Sequence, residues 1–251
     1  MGATEGGVLF QGGIADFVFL ATEAVRNVLE RALHQTRLEM VTSQLAARGI
    51  QDARVLEAMG TIPRECFVSP ELESLAYWDG PLVIGHGQTI SQPFMVAAMA
   101  ASLVLQGDEV VLEVGAGSGY GAAVLSRLAR QVVAVERIPE LLEAARARWS
   151  ALGLDNITGV LGDGTLGVPE WAPFDGICVT AAAPRIPPSL LMQLCPDQGR
   201  MIIPLGARAV QQLCLVRRVQ AGEVQIIPQF ACRFVPLLGE EGWDEVHGPE
   251  T

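Results

Sequence analysis

From residue 108 onward the chain alternates short, almost wholly apolar runs with helix-length stretches. Residues 109–114, 131–135, 157–161, 174–180, 200–205 and 212–219 read as strands, and 224–234 offers a last one. Between them, a stretch carrying Val124, Leu125 and Leu128 and another opened by Pro139 and closed by Gly153 read as helices. Strands this apolar have no solvent-facing alternate positions, so both faces of their sheet must be covered. The expected fold class is α/β, a doubly wound and mostly parallel sheet with a helical lead-in before it.

Ahead of that core the period is helical. Val25, Val28, Leu29, Ala32 and Leu33 fall on one apolar helix face, which predicts a packing or oligomerisation helix within an extension over residues 1–35. A lead-in over 36–106 begins with a helix at about 37–48 that stops at Gly49. Asp52 then caps a second helix carrying Val55, Leu56 and Met59 and ended by Gly60 and Pro63. Residues 79–88, rich in glycine, read as a loop, and Pro93 opens another helix. The core is expected over 107–238, and the acidic tail over 239–251 as a solvated end.

Composition narrows the chemistry. The 251 residues carry 17 basic and 28 acidic side chains, a net charge of −11, and every basic residue is arginine. Without lysine there is no phosphate-loop lysine, Schiff base or lysine general base. The acidic balance argues against a nucleic-acid partner. The apolar stretch 94–105 is shorter than the roughly 20 residues a bilayer requires, so no membrane association is expected. No basic residue precedes Arg26, which makes a poor secretory signal. Five scattered cysteines without a Cys-x-x-Cys pair read as free thiols, and the expected location is cytoplasmic. Three dispersed histidines give no metal set.

The candidate site begins where the strand ending Leu112-Glu113-Val114 enters Gly115-Ala116-Gly117-Ser118-Gly119. Glycines allow a sharp turn and close approach to a ligand, and the following helix start offers free N–H groups. A dinucleotide fingerprint would place glycine at position 120, but Tyr120 stands there. Glu136 closes the next strand, where an acid can accept both hydroxyls of a ribose; by itself it is an ordinary strand-end glutamate. Asp163, between Gly162 and Gly164, can meet an adenine amino group, or simply form an Asp-Gly turn. Three successive strand ends with this chemistry favour a nucleoside ligand, and S-adenosylmethionine over NAD.

The stretch Gly85-His86-Gly87-Gln88-Thr89-Ile90-Ser91-Gln92-Pro93 closely resembles the signature of protein-L-isoaspartate O-methyltransferases. Further segments resemble that family in order: Met40-Val41, Arg48-Gly49-Ile50, Pro63-Arg64, Val114 to Tyr120, Val135-Glu136-Arg137, Gly162-Asp163-Gly164, Val179 to Pro184 and Arg233-Phe234-Val235-Pro236-Leu237. The resemblance spans residues 37–238 and implies methyl transfer from S-adenosylmethionine to the α-carboxylate of L-isoaspartyl residues in proteins and peptides. It implies Ser91 as the active-site serine with Thr89 beside it. Glu113, Gly115, Gly117, Gly119, Glu136, Arg137, Asp163 and Gly164 then hold the cofactor, and His86, Ile90, Thr180, Ala181 and Arg233 face the substrate. The plain alternative for Thr89 and Ser91 is capping of the helix at Pro93, a role that can coexist with substrate positioning. His86 reads as a loop-fixing hydrogen bonder, and Arg233 either as a carboxylate attractor or as an edge-strand surface residue. The expected assembly is a monomer or small homo-oligomer. Three other readings stay open: a carboxyl methyltransferase for ordinary aspartate in a dedicated peptide, a non-catalytic cofactor-binding module, and an NAD-dependent oxidoreductase.

Overall fold

The computed structural model describes residues 28–219 and 223–244. Val25, His247, the glycine-rich opening and the last seven positions of the tail lie outside the described residues. The described residues fall into two units, residues 28–36 belonging to the first and residues 37–219 and 223–244 to the second. In the first, residues 28–36 are helical and Val28 and Leu29 are exposed.

The second unit opens with helical residues 37–39. They pass into a π-turn over Met40–Leu45 and a 3-10 turn over Ala46–Arg48, and Gly49, at φ 95°, stops the helix as expected. Helix α1 (Ala53–Thr61) is capped by Asp52, whose carboxylate accepts the N–H groups of Arg54 at 2.9 Å and Val55 at 3.2 Å. Gly60 lies inside this helix, which continues to Thr61. The stretch expected as a loop is instead a hairpin of β1 (Leu82–Gly85) and β2 (Gln88–Ile90). Its turn consists of His86 and Gly87, both at positive φ, the geometry that a two-residue hairpin turn needs. Leu82 pairs with Ile90 on the buried face while Val83 and Thr89 pair on the exposed one. Helix α2 (Pro93–Leu103) follows, with proline in its first turn and Ala97, Met99, Ala100 and Leu103 buried.

The main sheet has seven strands: β3 (Val110–Val114), β4 (Gln131–Glu136), β5 (Ile157–Leu161), β6 (Gly176–Val179), β7 (Arg200–Gly206), β8 (Gln211–Arg218) and β9 (Val224–Cys232). Their order is β5-β4-β3-β6-β7-β8-β9. The strands from β5 to β7 are parallel, and β8 and β9 are added antiparallel. The connecting helices are α3 (Tyr120–Ser126), α4 (Pro139–Ala151) and α5 (Pro188–Gln193). Leu112, Val114, Val133, Val135, Ile177, Val179, Met201 and Ile203 are buried in one apolar cluster on one face of the sheet, and Val111, Val132, Ala134, Cys178 and Ile202 are buried on the other, which accounts for the lack of alternation along these strands. The chain runs outward from β3 to β5 and returns to β6 on the other side of β3. The switch point therefore lies between the carboxyl ends of β3 and β6, where open α/β sheets bind ligands.

The expected solvated tail is corrected over residues 239–244. The Glu240 N–H donates to Asp163 Oδ2 at 2.8 Å, the Glu241 N–H to Thr165 Oγ1 at 3.1 Å, and Trp243 Nε1 to the Ala182 carbonyl at 3.1 Å. Charge alone misreads this segment, because its backbone donors and Trp243 dock it to the core.

Candidate active site

At the switch point the buried strand β3 gives way to the glycine loop. The Gly115 N–H donates to the Val135 carbonyl at 2.9 Å, which hangs the loop from β4. Gly115 has φ 90°, and a Cβ on it would lie 2.7 Å from Thr180 Oγ1. That hydroxyl is itself shared between the carbonyls of Val114 at 2.9 Å and Gly115 at 2.7 Å. Glycine is thus required both by the left-handed backbone and by the close approach of β6. On the far side, Trp149 Nε1 donates to the Gly119 carbonyl at 2.8 Å, and a Cβ at Gly119 would lie 2.7 Å from that nitrogen.

Glu136 is buried and grips the loop from the next strand. Its Oε2 accepts the Gly117 N–H at 2.9 Å, and its Oε1 accepts those of Arg137 at 2.9 Å and Ile138 at 3.0 Å. Asp163 is engaged as well: Oδ1 accepts the N–H and hydroxyl of Thr165 at 2.8 and 2.7 Å, and Oδ2 holds the tail at Glu240. Each oxygen has two acceptor positions, so these bonds leave capacity for a ligand donor. Glu113 is 1% exposed, and its Oε2 has no hydrogen-bond partner. Burial holds its carboxyl well above the usual carboxylate range, and the nearby Glu136 adds to the effect.

Three cavities converge on this edge of the sheet. One of about 80 Å3 is lined by Gln88, Gly115, Gly117, Glu136, Arg137, Gly164 and Ala181, among others. A second, of about 50 Å3, lies against Ile90, Ser91, Glu113 and the glycine loop. The third is an open cleft of about 750 Å3 that takes in Ser91, Gln92, Phe94, Phe230 and Arg233. Thr89 and Thr180 line all three. Among the described residues the hydroxyls of Thr89 and Ser91 have no hydrogen-bond partner, and no side chain caps α2 at Gln92. The capping alternative for this pair is therefore not realised.

Most expected site residues meet here, with differences in placement. His86 sits at the exposed hairpin tip, outside the three cavities, and its carbonyl accepts a bond from Gln88 Nε2 at 3.2 Å. Gly119 and Asp163 stand behind the cavity walls that they help to set, and do not line them.

A model of the protein-L-isoaspartate(D-aspartate) O-methyltransferase family matches residues 35–242. The chain belongs to that family. The Protochlamydia amoebophila protein-L-isoaspartate O-methyltransferase is 52% identical over 205 residues, covering 81% of this chain and 97% of that protein. Protein-L-isoaspartate O-methyltransferase 2 of Marinobacter nauticus is 51% identical over 212 residues, 84% of this chain and 96% of that one. A solved Plasmodium falciparum structure, described as a candidate protein-L-isoaspartate O-methyltransferase in complex with S-adenosyl-L-homocysteine, is 25% identical. It aligns over 80% of this chain and 98% of that one, with a TM-score of 0.69.

Within this methyltransferase, Arg64 is the residue that reading for motifs passed over. It is fully buried, donates from Nε to the Ala76 carbonyl at 2.7 Å and from one terminal nitrogen to the Ser91 carbonyl at 2.8 Å, and lies 4.8 Å from the Tyr120 ring centroid. One guanidinium thus ties the serine-bearing segment to the helix that follows the glycine loop. The sequence shows it only as an arginine after Pro63; nothing in the spacing says that it is buried. Residues 235–238 were also missed as lining: Val235 and Pro236 border two of the cavities.

Proposed function

We propose that this enzyme methylates the α-carboxylate of L-isoaspartyl residues in proteins and peptides, the step that starts their repair. The observation that carries the reading is the shared wall of Thr89 and Thr180, which joins the glycine-loop cavities to an open cleft wide enough for a peptide.

The residues fit S-adenosylmethionine. Gly115 leaves open the space that a Cβ would fill, Glu136 offers acceptor oxygens beside it, and Glu113 keeps a buried oxygen without a partner. Gly117, Arg137, Asp163 and Gly164 complete the cofactor side, with Gly119 supporting the loop from behind. When bound, the cofactor supplies an electrophilic sulfonium methyl group. The carboxylate to be methylated has a pKa near ~4 and is ionised at neutral pH, so the protein needs no general base. Its task is to align the attacking oxygen and keep water away from it. The free hydroxyls of Thr89 and Ser91 orient that oxygen as hydrogen-bond donors. They hold it less tightly than an arginine would, which leaves it nucleophilic; Ser91 positions substrate and forms no covalent intermediate. Ile90, Thr180 and Ala181 shape the junction, and Arg233 borders the substrate cleft.

The enzyme acts as a monomer or small homo-oligomer in the cytoplasm, without nucleic-acid or membrane partners. The net charge of −11 and five free thiols support this setting, and among the described residues no helix is long and apolar enough to cross a membrane. Radiolabelled S-adenosylmethionine with matched short peptides, one holding L-isoaspartate and one aspartate, tests the assignment. Base-labile ester on the isoaspartyl peptide alone is expected; label on the aspartyl peptide, or on neither, overturns it.

A further inference from the structure

Among the described residues the open cleft is lined by Arg48, Arg208 and Arg233 and by no aspartate or glutamate, although the chain carries 28 acidic residues against 17 basic ones. The three arginines are not equivalent. Arg48 is neutralised, with one terminal nitrogen 3.2 Å from each oxygen of Asp79 and its guanidinium 3.8 Å over the Phe94 ring. Arg208 is held by uncharged groups. One of its terminal nitrogens donates to the Asp244 carbonyl at 3.1 Å, and its guanidinium lies 5.1 Å from the Trp243 ring centroid. Trp243 is in turn fixed by its bond to the Ala182 carbonyl, so the docked tail presents this arginine to the cleft. Arg233 is exposed and has no hydrogen bond or ion pair among the described residues.

Two positive charges thus border the cleft with no carboxylate among the described residues answering them. The reacting carboxylate does not need them: hydroxyls orient it, and pairing with arginine would lower its nucleophilicity. At physiological ionic strength the screening length is about 8 Å, so remote acidic residues act weakly in the cleft while its own arginines act directly. An arginine placed over an aromatic ring is also preorganised for a planar carboxylate.

We propose that Arg208 and Arg233 determine specificity, favouring isoaspartyl sites whose neighbouring residues are glutamate or aspartate. The inference rests on the isoaspartyl reading above. It is tested with three short isoaspartyl peptides that differ only in flanking residues (glutamate, glutamine or lysine), by following kcat/KM for methyl transfer. The expected order is glutamate, then glutamine, then lysine, with about a tenfold span at low salt that shrinks at about 0.5 M salt. Arg208→Gln and Arg233→Gln each narrow that span about threefold, while the lysine variants at both positions keep the preference. Arg127→Gln, an exposed arginine outside the cleft, makes the same change in net charge and leaves the span intact. Equal kcat/KM for the three peptides, or an unchanged span in the Arg208→Gln, Arg233→Gln double variant, overturns the specificity. Absence of transfer to all three overturns the isoaspartyl reading itself.

Discussion

On the cofactor side of the site the ligand groups sit on or directly behind buried parallel strands. Glu113 belongs to β3, Glu136 ends β4, and the glycine loop hangs from Val135 by backbone bonds. On the substrate side Thr89 sits on an exposed strand of a two-stranded hairpin, and the cleft wall opposite follows the edge strand β9. The first region is held in place by the same register that builds the core. The second depends on a few side-chain ties, such as Arg64 to the Ser91 carbonyl and Trp243 to Ala182. Precise cofactor placement with an adaptable peptide side follows from that division. A small electrophile must be held in one geometry, whereas damaged residues arrive in many sequences.

Arg64 is where the two regions meet, and its removal should have the largest effect. Arg64→Met leaves the carbonyls of Ala76 and Ser91 without their buried donor, at a cost of about 2–5 kcal/mol. Urea denaturation of the variant should show that loss together with weakened turnover. Near-wild-type stability would mean that the two regions are not joined through this side chain.

Next comes Glu113, which ties the cofactor side to pH. Its folded pKa is raised above the ordinary 4.5 by burial, so its contribution is fully present below pH about 4.5 and is lost as pH rises through the folded value. Glu113→Gln, a neutral near-isostere, should therefore gain stability relative to wild type as pH rises through that window. Thermal melts of the cofactor-free proteins across the range check this, and a constant difference would contradict a buried protonated carboxyl. The smallest effect expected is at the tail. Glu241 accepts both the N–H of Ser189 at 2.8 Å and its hydroxyl at 2.9 Å, and Glu241→Ala should cost about 1 kcal/mol. Its KM for S-adenosylmethionine should rise a few-fold through loosening of Asp163, and an unchanged KM would separate the tail from the cofactor side.

Legibility in the sequence follows the same division. The parallel strands and the glycine loop were readable because burial on both faces forces continuous apolar runs, and because Gly115 must be glycine on two separate grounds. The hairpin at 82–90 was hidden, since its glycines signal a turn but its strands are only four and three residues long. The docked tail was hidden because two of its anchors are backbone N–H groups, and the other two, the Glu241 carboxylate and the Trp243 indole, meet partners fifty-two and sixty-one positions away. Arg64 was hidden for a related reason. Its partners are carbonyls twelve and twenty-seven positions away, and an arginine bound to carbonyls leaves no paired acid for a reader to find.

The most direct test of a divided site crosses two substitutions with two readouts. Affinity for S-adenosylhomocysteine is measured by calorimetry, and kcat on an isoaspartyl peptide by methyl transfer, for Glu136→Ala and Ser91→Ala. Glu136→Ala should weaken affinity by at least about tenfold, the value of about 1.4 kcal/mol for lost charged hydrogen bonds. Ser91→Ala should cut kcat by a similar factor with affinity unchanged. Equal losses of affinity and turnover in both variants would contradict the division on which this account of the enzyme rests.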